Sequence, residues 1–211
     1  MDLTLAAKLF AALFAIMSPL SIVPIFLALT ADLDAAGRRS TLIAMVGTVT
    51  IGALVCAFAG HALLGLFGID VAHFRLAGGL IVLMIALSML SGDDHSSHQG
   101  TPEEKAQYKS TSNPGVYPLG LPIALGPGTM ATIIVYAQQS GTEPAIAGFY
   151  AGLVGYLVFF AAAMALAPWL GSRLSPTALS ISKRLMGIIL AAIAMEMVGG
   201  ALGAMFPGWL K

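Results

Sequence analysis

Apolar residues fill most of this chain in six long stretches, which short polar or Gly/Pro-rich segments separate. A helix needs about 20 mostly apolar residues to cross the hydrocarbon core of a bilayer, and each stretch reaches that length. The pattern therefore predicts an all-α membrane protein with six transmembrane helices. Their approximate ranges are 3–30, 40–67, 72–91, 117–139, 144–170 and 184–206.

Composition strengthens this prediction and excludes two other classes of protein. Hydrophobic residues make up 58% of the 211 residues and charged residues only 9%, too few charges for the surface of a soluble domain. Ten basic and ten acidic side chains leave no net charge, so no dense basic face exists for a nucleic acid. The lone cysteine, Cys56, lies in an apolar stretch and is expected to be a small buried side chain. No metal or cofactor is expected, and the expected partner is the lipid bilayer.

The basic residues are distributed unevenly between the two sides of the predicted bundle. Seven of the ten follow an odd-numbered span and three lie on the other side. Because cytoplasmic loops carry the excess of Lys and Arg, the loops after odd-numbered spans are expected in the cytoplasm and both termini outside. The seven are Arg38, Arg39, Lys105, Lys109, Arg173, Lys183 and Arg184, and the three are Lys8, Arg75 and Lys211.

A shift of 108 residues places the third predicted span on the sixth and the first on the fourth. Six identities occur in the 14 positions from Gly79 to Gly92, and Pro19 falls on Pro127. Composition alone would give about two identities in such a window. Three spans reverse the chain across the membrane, so a second copy would be inverted. The sequence thus predicts two inverted three-helix repeats, 1–91 and 117–211, joined by a cytoplasmic linker loop at 92–116.

Proline and glycine interrupt the first and fourth spans near their midpoints. Proline removes a backbone donor and clashes with the preceding turn, so both helices are predicted to be broken near mid-membrane. Broken backbone is tolerated in a bilayer where it lines a cavity, and half-helix N-termini attract carboxylates while freed carbonyls attract cations. Simple structural kinks are the alternative. The candidate substrate-binding residues at the two interruptions are Ser18, Pro19, Ser21, Pro24, Gly126, Pro127, Gly128 and Thr129.

One acidic residue, Glu196, lies inside a predicted span, whereas the other nine lie in loops or at span ends. A carboxylate inside a bilayer is costly unless it is protonated, paired or hydrated, and such groups commonly serve transport. Glu196 is therefore a candidate for proton coupling and for binding a substrate ammonium. A protonated glutamate that only bonds a neighbouring helix is the structural alternative. Arg75 and Arg184 begin the third and sixth spans and are expected to extend toward the interface.

The chain resembles the MarC family of membrane proteins, also described as SnatA-type small neutral amino acid transporters. The resemblance covers essentially the whole chain outside 92–116, with one departure at Ser18, where the family often has Asn before the proline. It implies six helices, a prokaryotic cytoplasmic (inner) membrane and a distant likeness to LysE-type exporters. It also implies proton-coupled transport of glycine, alanine or similar amino acids. The segments that carry it include Ser18-Pro19-Leu20, Pro24-Ile25-Phe26-Leu27, Phe74-Arg75-Leu76-Ala77-Gly78-Gly79, Gly126-Pro127-Gly128 and Ala194-Met195-Glu196.

The residues and the resemblance together predict a secondary transporter of small neutral amino acids that works by alternating access around a mid-membrane site. No catalytic motif is present, so an enzyme is not expected. Other readings stay open: a non-transporting membrane scaffold, an exporter of other small metabolites, a lipid scramblase or an ion channel. The sequence also leaves open the direction of transport, coupling to protons or sodium, and the oligomeric state.

Overall fold

The computed structural model describes residues 1–91, 113–173 and 175–207, and within these ranges short connections link nine helical segments. One of them, α5, has π-type hydrogen bonds. The segments are α1 Leu3–Ile16, α2 Pro19–Leu29, α3 Ala35–Leu66, α4 Val71–Ser91, α5 Gly115–Ala124, α6 Pro127–Gln139, α7 Glu143–Ala165, α8 Ala167–Arg173 and α9 Pro176–Met205.

Four helices are long and apolar enough to cross a membrane as single rods, namely α3, α4, α7 and the Arg184–Met205 part of α9. Two bent pairs, α1 with α2 and α5 with α6, pass the same test when each pair is taken together. The helix axis turns by 41° within the first pair and by 63° within the second. The prediction of an all-helical, multi-span membrane protein is confirmed, with four spans, or up to six if each bent pair is one span.

Helix boundaries differ from the prediction at two places, each for a local reason. α3 begins at Ala35 rather than near residue 40, because the side chain of Asp34 accepts a 2.7 Å hydrogen bond from the Gly37 N–H and caps the helix. The predicted fifth span is divided at Leu166 into α7 and α8. Pro168 lies just beyond this point and lacks the N–H that a continuous helix would need there.

The prolines of the two interrupted spans act differently from one another. Pro24 was expected to help break the first span, but α2 continues through it. Only one helix hydrogen bond is lost there, and the buried side chains of Val23 and Phe26 hold α2 in the core on both sides of the proline. In α5, by contrast, Tyr117 and Leu121 have extended backbone conformations, as expected of residues that precede prolines.

Most of the predicted linker, 92–112, lies outside the described residues. Its last two residues belong to the fold, since α5 begins at Gly115 rather than at residue 117. A Cβ on Gly115 would overlap the α3 backbone at the Thr41 carbonyl oxygen, so α5 and α3 are in very close contact.

Helices from the first part of the chain pack against helices from the second part. α4 lies along α9, α1 along α7, and α5 with α6 along α3. Outward-facing apolar side chains such as Ile51, Phe58 and Val158 are exposed, an arrangement suited to lipid. The buried core contains Leu9, Leu13, Phe26, Leu119, Phe149, Tyr156 and Phe160 among others.

Two glycines bring α4 and α9 close together. A Cβ on Gly79 would lie 3.2 Å from the carbonyl oxygen of Ala194, and a Cβ on Gly187 would lie 3.1 Å from that of Ala86. Both distances are shorter than an ordinary contact, so the two backbones approach each other through positions that have no side chain.

Candidate functional site

The first break lies at Met17 and Ser18, between α1 and α2. α1 ends at Ile16 and α2 starts with Pro19 as its first residue, the position at which a missing N–H costs a helix nothing. The carbonyl oxygen of Met17 accepts a hydrogen bond from the buried hydroxyl of Tyr156 on α7. A side chain of the neighbouring helix α7 thereby holds the C-terminal end of α1, where the helical hydrogen bonds of α1 stop.

The second break lies at Leu125 and Gly126, between α5 and α6. Gly126 is extended, and Pro127 is the first residue of α6, as Pro19 is of α2. The hydroxyl of Thr129 donates to the carbonyl oxygen of Ala124 across the break, at 3.2 Å. The two half-helices, α2 and α6, thus begin at prolines 108 residues apart, each near the middle of its bent pair.

The first turns of both half-helices have backbone groups that a ligand could use. Within the described part of the chain, neither Ser18 nor Gly126 caps its half-helix through a side-chain hydrogen bond. A helix N-terminus without such a cap presents N–H groups and a partial positive charge, which suit a carboxylate. In α2, Pro24 also has no N–H to donate to the carbonyl of Leu20, which therefore lacks its usual helical partner.

The predicted binding residues differ in how deeply they lie. Six are buried or half-buried, while Pro24 and Pro127 are exposed at the outside of their helices. Gly128 packs on α4, where an added Cβ would lie 3.0 Å from Ile85 Cδ1. The buried or half-buried residues are Ser18, Pro19, Ser21, Gly126, Gly128 and Thr129.

Thr132, one turn further along α6 than Gly128, was not identified from the sequence. It is fully buried, and its hydroxyl has no hydrogen-bond partner within the described residues. A helical threonine commonly bonds the carbonyl four residues earlier, so an unpaired hydroxyl at this place is available to a ligand. Thr129 and Thr132 lie on neighbouring faces of α6, next to the half-helix N-terminus.

Glu196 is bound to a lysine rather than to either break. Its Oε1 lies 2.9 Å from Lys8 Nζ, and the two side chains are 57% and 53% exposed. Lys8 precedes Ser18 by ten residues, which corresponds to about 15 Å along a helix. The structure therefore brings the eight predicted residues of the breaks and Glu196 to two different levels of the bundle.

Arg75 completes this charged group. Its Nη2 donates to the backbone carbonyl oxygen of Glu196 at 3.4 Å, and its guanidinium lies against Gly200 of α9. Arg75, which was expected to extend toward the interface, therefore contacts α9. The phenol of Tyr136, near the end of α6, lies within electrostatic range of both Glu196 and Arg75. We call Lys8, Arg75, Tyr136 and Glu196 the charged cluster.

Comparison with known proteins gives one family and many relatives. The model of the MarC family of integral membrane proteins matches residues 3–206. The chain is 32% identical over 210 residues to the UPF0056 membrane protein YhcE of Escherichia coli (strain K12), covering 100% of this chain and 97% of that protein. It is 34% identical over 208 residues to the UPF0056 membrane protein YvbG of Bacillus subtilis (strain 168), covering 94% of both chains.

An archaeal relative extends this range. The UPF0056 membrane protein MJ1677 of Methanocaldococcus jannaschii is 31% identical over 213 residues, covering 97% of this chain and all of that protein. No solved structure gives a significant match. The match of the family model from the first helix to the end of α9, together with these full-length relatives, shows that the chain belongs to the MarC family of multi-span integral membrane proteins.

Proposed function

We propose that this protein is a secondary transporter of small neutral amino acids, of the glycine and alanine class, that works by alternating access. The observation that carries the proposal is the pair of half-helices, α2 and α6, whose N-termini are at Pro19 and Pro127, equivalent positions under the 108-residue shift. Backbone that leaves the helical ladder inside a bilayer must be buried in protein or face a water-filled cavity. Discontinuous helices of this kind are the usual binding elements of secondary transporters.

The contact between α4 and α9 supports the two inverted repeats that this mechanism requires. A Cβ on Gly79 would meet Ala194, Met197 and Val198, and a Cβ on Gly187 would meet Ala86, Met89 and Leu90. Each of these six contacts has its mate 108 residues away. A contact in which each partner uses the same positions is the signature of a two-fold axis. We therefore take each bent pair as one span, which gives six spans.

The proposed site lies between the two half-helices. The backbone N–H groups at the start of α2 and α6, near Ser18 and Gly128, would hold the substrate carboxylate. The hydroxyls of Thr129 and Thr132 would contact the ammonium. Gly128 packs against α4, where an added Cβ would lie 3.0 Å from Ile85 Cδ1, so the start of α6 is held close to that helix.

Glu196 is the proposed proton carrier. Its carboxylate joins α9 to Lys8 of α1, and the first and second repeats are thereby tied on one side of the bundle. Protonation would remove the charge that holds Lys8 and so release the tie. Coupling then arises because the proton changes the equilibrium between two arrangements of the repeats, even though Glu196 lies at a different level of the bundle from the site between the half-helices.

The proposed location is the cytoplasmic membrane of a prokaryote, with both termini outside. The relatives include bacterial and archaeal membrane proteins, which agrees with this location. The charged cluster, near the start of α1 and of α4, then lies toward the outer surface.

Uptake of labelled glycine and alanine into proteoliposomes tests the function. We expect saturable uptake that an inward proton gradient stimulates, and loss of the stimulation in Glu196→Gln. The matched control is Met195→Gln, because Met195 is an exposed neighbour on α9. Absence of uptake of any neutral amino acid, with or without the proton gradient, would contradict the proposal, and uptake that never saturates would indicate a channel.

A further inference from the structure

The charged cluster contains more positive charge than its carboxylate can balance. Glu196 provides one negative charge, and Lys8 at 2.9 Å already pairs with it. Arg75 has only a 3.4 Å hydrogen bond to a backbone carbonyl, and its buried Nε has no partner in the described ranges. A guanidinium has five N–H donors, so Arg75 keeps most of its capacity for an anion.

Two other carboxylates near this end of the bundle, those of Asp2 and Asp70, each accept a hydrogen bond from a backbone N–H. Asp2 caps α1 by accepting from the Leu5 N–H at 3.0 Å. Asp70 accepts from the Ala72 N–H at 2.7 Å, at the start of α4. Both carboxylates satisfy the first turn of a helix. The positive charge of Arg75 therefore has no counter-ion from these caps.

Gly200 positions the guanidinium. A Cβ on Gly200 would lie 2.6 Å from Arg75 Cζ and 2.8 Å from Nη1, closer than any real contact allows. The absence of a side chain at this residue lets the guanidinium lie flat on α9, one turn beyond Glu196. Its neighbour Gly199 has nothing within 4 Å of the equivalent Cβ. The two adjacent glycines thus differ in one respect, which is whether an added methyl group would displace Arg75.

We propose that Arg75, whose guanidinium lies against Gly200, forms a second binding site together with Lys8. This site binds the carboxylate of a small zwitterion. A planar guanidinium binds a carboxylate through two parallel hydrogen bonds. The ammonium of the same molecule lies next to Glu196, where it replaces the Lys8 ammonium as the partner of the Glu196 carboxylate. The Lys8–Glu196 pair is about half exposed at the surface of the bundle rather than enclosed within it.

The role of this site rests on the proposed function. It is an initial binding site at the outer end of the transport path, about 15 Å along α1 from the first break. A zwitterion held here has both charges paired, and its binding raises the local concentration from which the inner site is filled.

Calorimetric titration of the purified full chain in detergent micelles tests the site. The probes are acetate, which has a carboxylate alone, ethylamine, which has an ammonium alone, and alanine. Wild type and Gly199→Ala are expected to have the same affinity as each other for acetate, and the same affinity as each other for alanine. Gly200→Ala and Arg75→Gln are expected to bind both roughly tenfold or more weakly, the loss of a charge-assisted hydrogen bond. Gly200→Ala displaces only the end of a flexible side chain, so the fold is retained.

Acetate affinity that is the same in Gly200→Ala as in Gly199→Ala would overturn the proposal, as would a wild type that binds no acetate. Ethylamine binding alone would also overturn it, because Glu196 rather than Arg75 would then be the ligand. Failure of this site differs from failure of the proposed function. Amino acid uptake with unchanged kinetics in Gly200→Ala would contradict the second binding site and leave the transport function supported. Arg75-dependent acetate binding without any uptake would support the second binding site and contradict the transport function.

Discussion

Alanine at Gly79 or at Gly187 should weaken the contact between α4 and α9. At Gly79, the new Cβ would lie 2.9 Å from Val198 Cγ2 and 3.2 Å from both the Ala194 carbonyl oxygen and Met197 Cβ. Ordinary contacts between carbon atoms are about 3.5–4.0 Å, so the overlap with Val198 Cγ2 is more than about half an ångström. The two 3.2 Å contacts are short by a few tenths of an ångström. Two of the three atoms are a backbone oxygen and a Cβ, which cannot rotate away. We expect the free energy of unfolding to fall by about 1–3 kcal/mol, the usual cost of an added methylene in a packed core.

Gly187 should behave in the same way, because its contacts are the mates of those at Gly79. The added Cβ would lie 3.1 Å from the Ala86 carbonyl oxygen, 3.1 Å from Leu90 Cγ and 3.2 Å from Met89 Cβ. Gly199→Ala is the matched control, because it makes the same chemical change in α9 at a position where an added Cβ would have nothing within 4 Å. Alanine is the better helix former by about 1 kcal/mol, so the control should be unchanged or slightly more stable.

Unfolding of the three variants by a denaturing detergent, followed by circular dichroism, measures these differences. The expected order has Gly79→Ala and Gly187→Ala equally destabilised, and Gly199→Ala at or above wild type. Either of the first two matching Gly199→Ala would refute the close approach at that glycine. A large difference between them would refute the reciprocal contact and, with it, the support for a two-fold axis.

Two further results are expected from the contacts at the first break and in the charged cluster. Tyr156→Phe leaves the buried carbonyl of Met17 without its donor and should lower the free energy of unfolding by about 1–3 kcal/mol, measured by the same titration. A double-mutant cycle of Lys8→Ala and Glu196→Ala should give a coupling energy of only about 0.2–1 kcal/mol, because both side chains are about half exposed at the protein surface.

Each of these results has a control and a contradicting outcome. Tyr150→Phe, on the same helix and only half-buried, is the control for Tyr156→Phe, and equal stability of the two variants would show that the bond to Met17 does not hold the first break. The control for the cycle pairs His73→Ala with Glu196→Ala. This pair should show no coupling, because His73 lies 3.8 Å from Asp70 rather than near Glu196. A Lys8–Glu196 coupling of several kcal/mol would mean that the pair is enclosed by apolar groups.

The spans and the breaks could be predicted because they depend on local properties of the sequence. The length of an apolar run determines whether a helix can cross a bilayer, and the loss of an N–H at Pro19 and Pro127 favours a break at these positions. The continuation of α2 through Pro24 could not be predicted in this way. It depends on how Val23 and Phe26 pack against other helices, which no local pattern specifies.

The candidate site could be predicted only in part for the same reason. Glu196 was identified because it is an acid within an apolar span, but its partner Lys8 is 188 residues away. Their bond exists because α1 lies beside α9, which follows from the packing of the whole bundle. A search for a basic residue inside another span would have found Lys8 as a candidate. Tyr156 had no such signal, because a tyrosine in an apolar helix is ordinary.

Thiol labelling at the first break tests the proposed mid-depth site most directly. Cys56 is the only cysteine, so Cys56→Ser gives a background in which Ser18→Cys is the single reactive thiol. Ser40→Cys in the same background is the control, because Ser40 is exposed near the start of α3, far from the break in sequence. In proteoliposomes, a small water-soluble methanethiosulfonate should label both variants. We expect alanine, at a concentration that saturates uptake, to slow the labelling of Ser18→Cys several-fold and to leave Ser40→Cys unchanged. No labelling of Ser18→Cys, or labelling at the same rate with and without alanine, would contradict a substrate site between the half-helices.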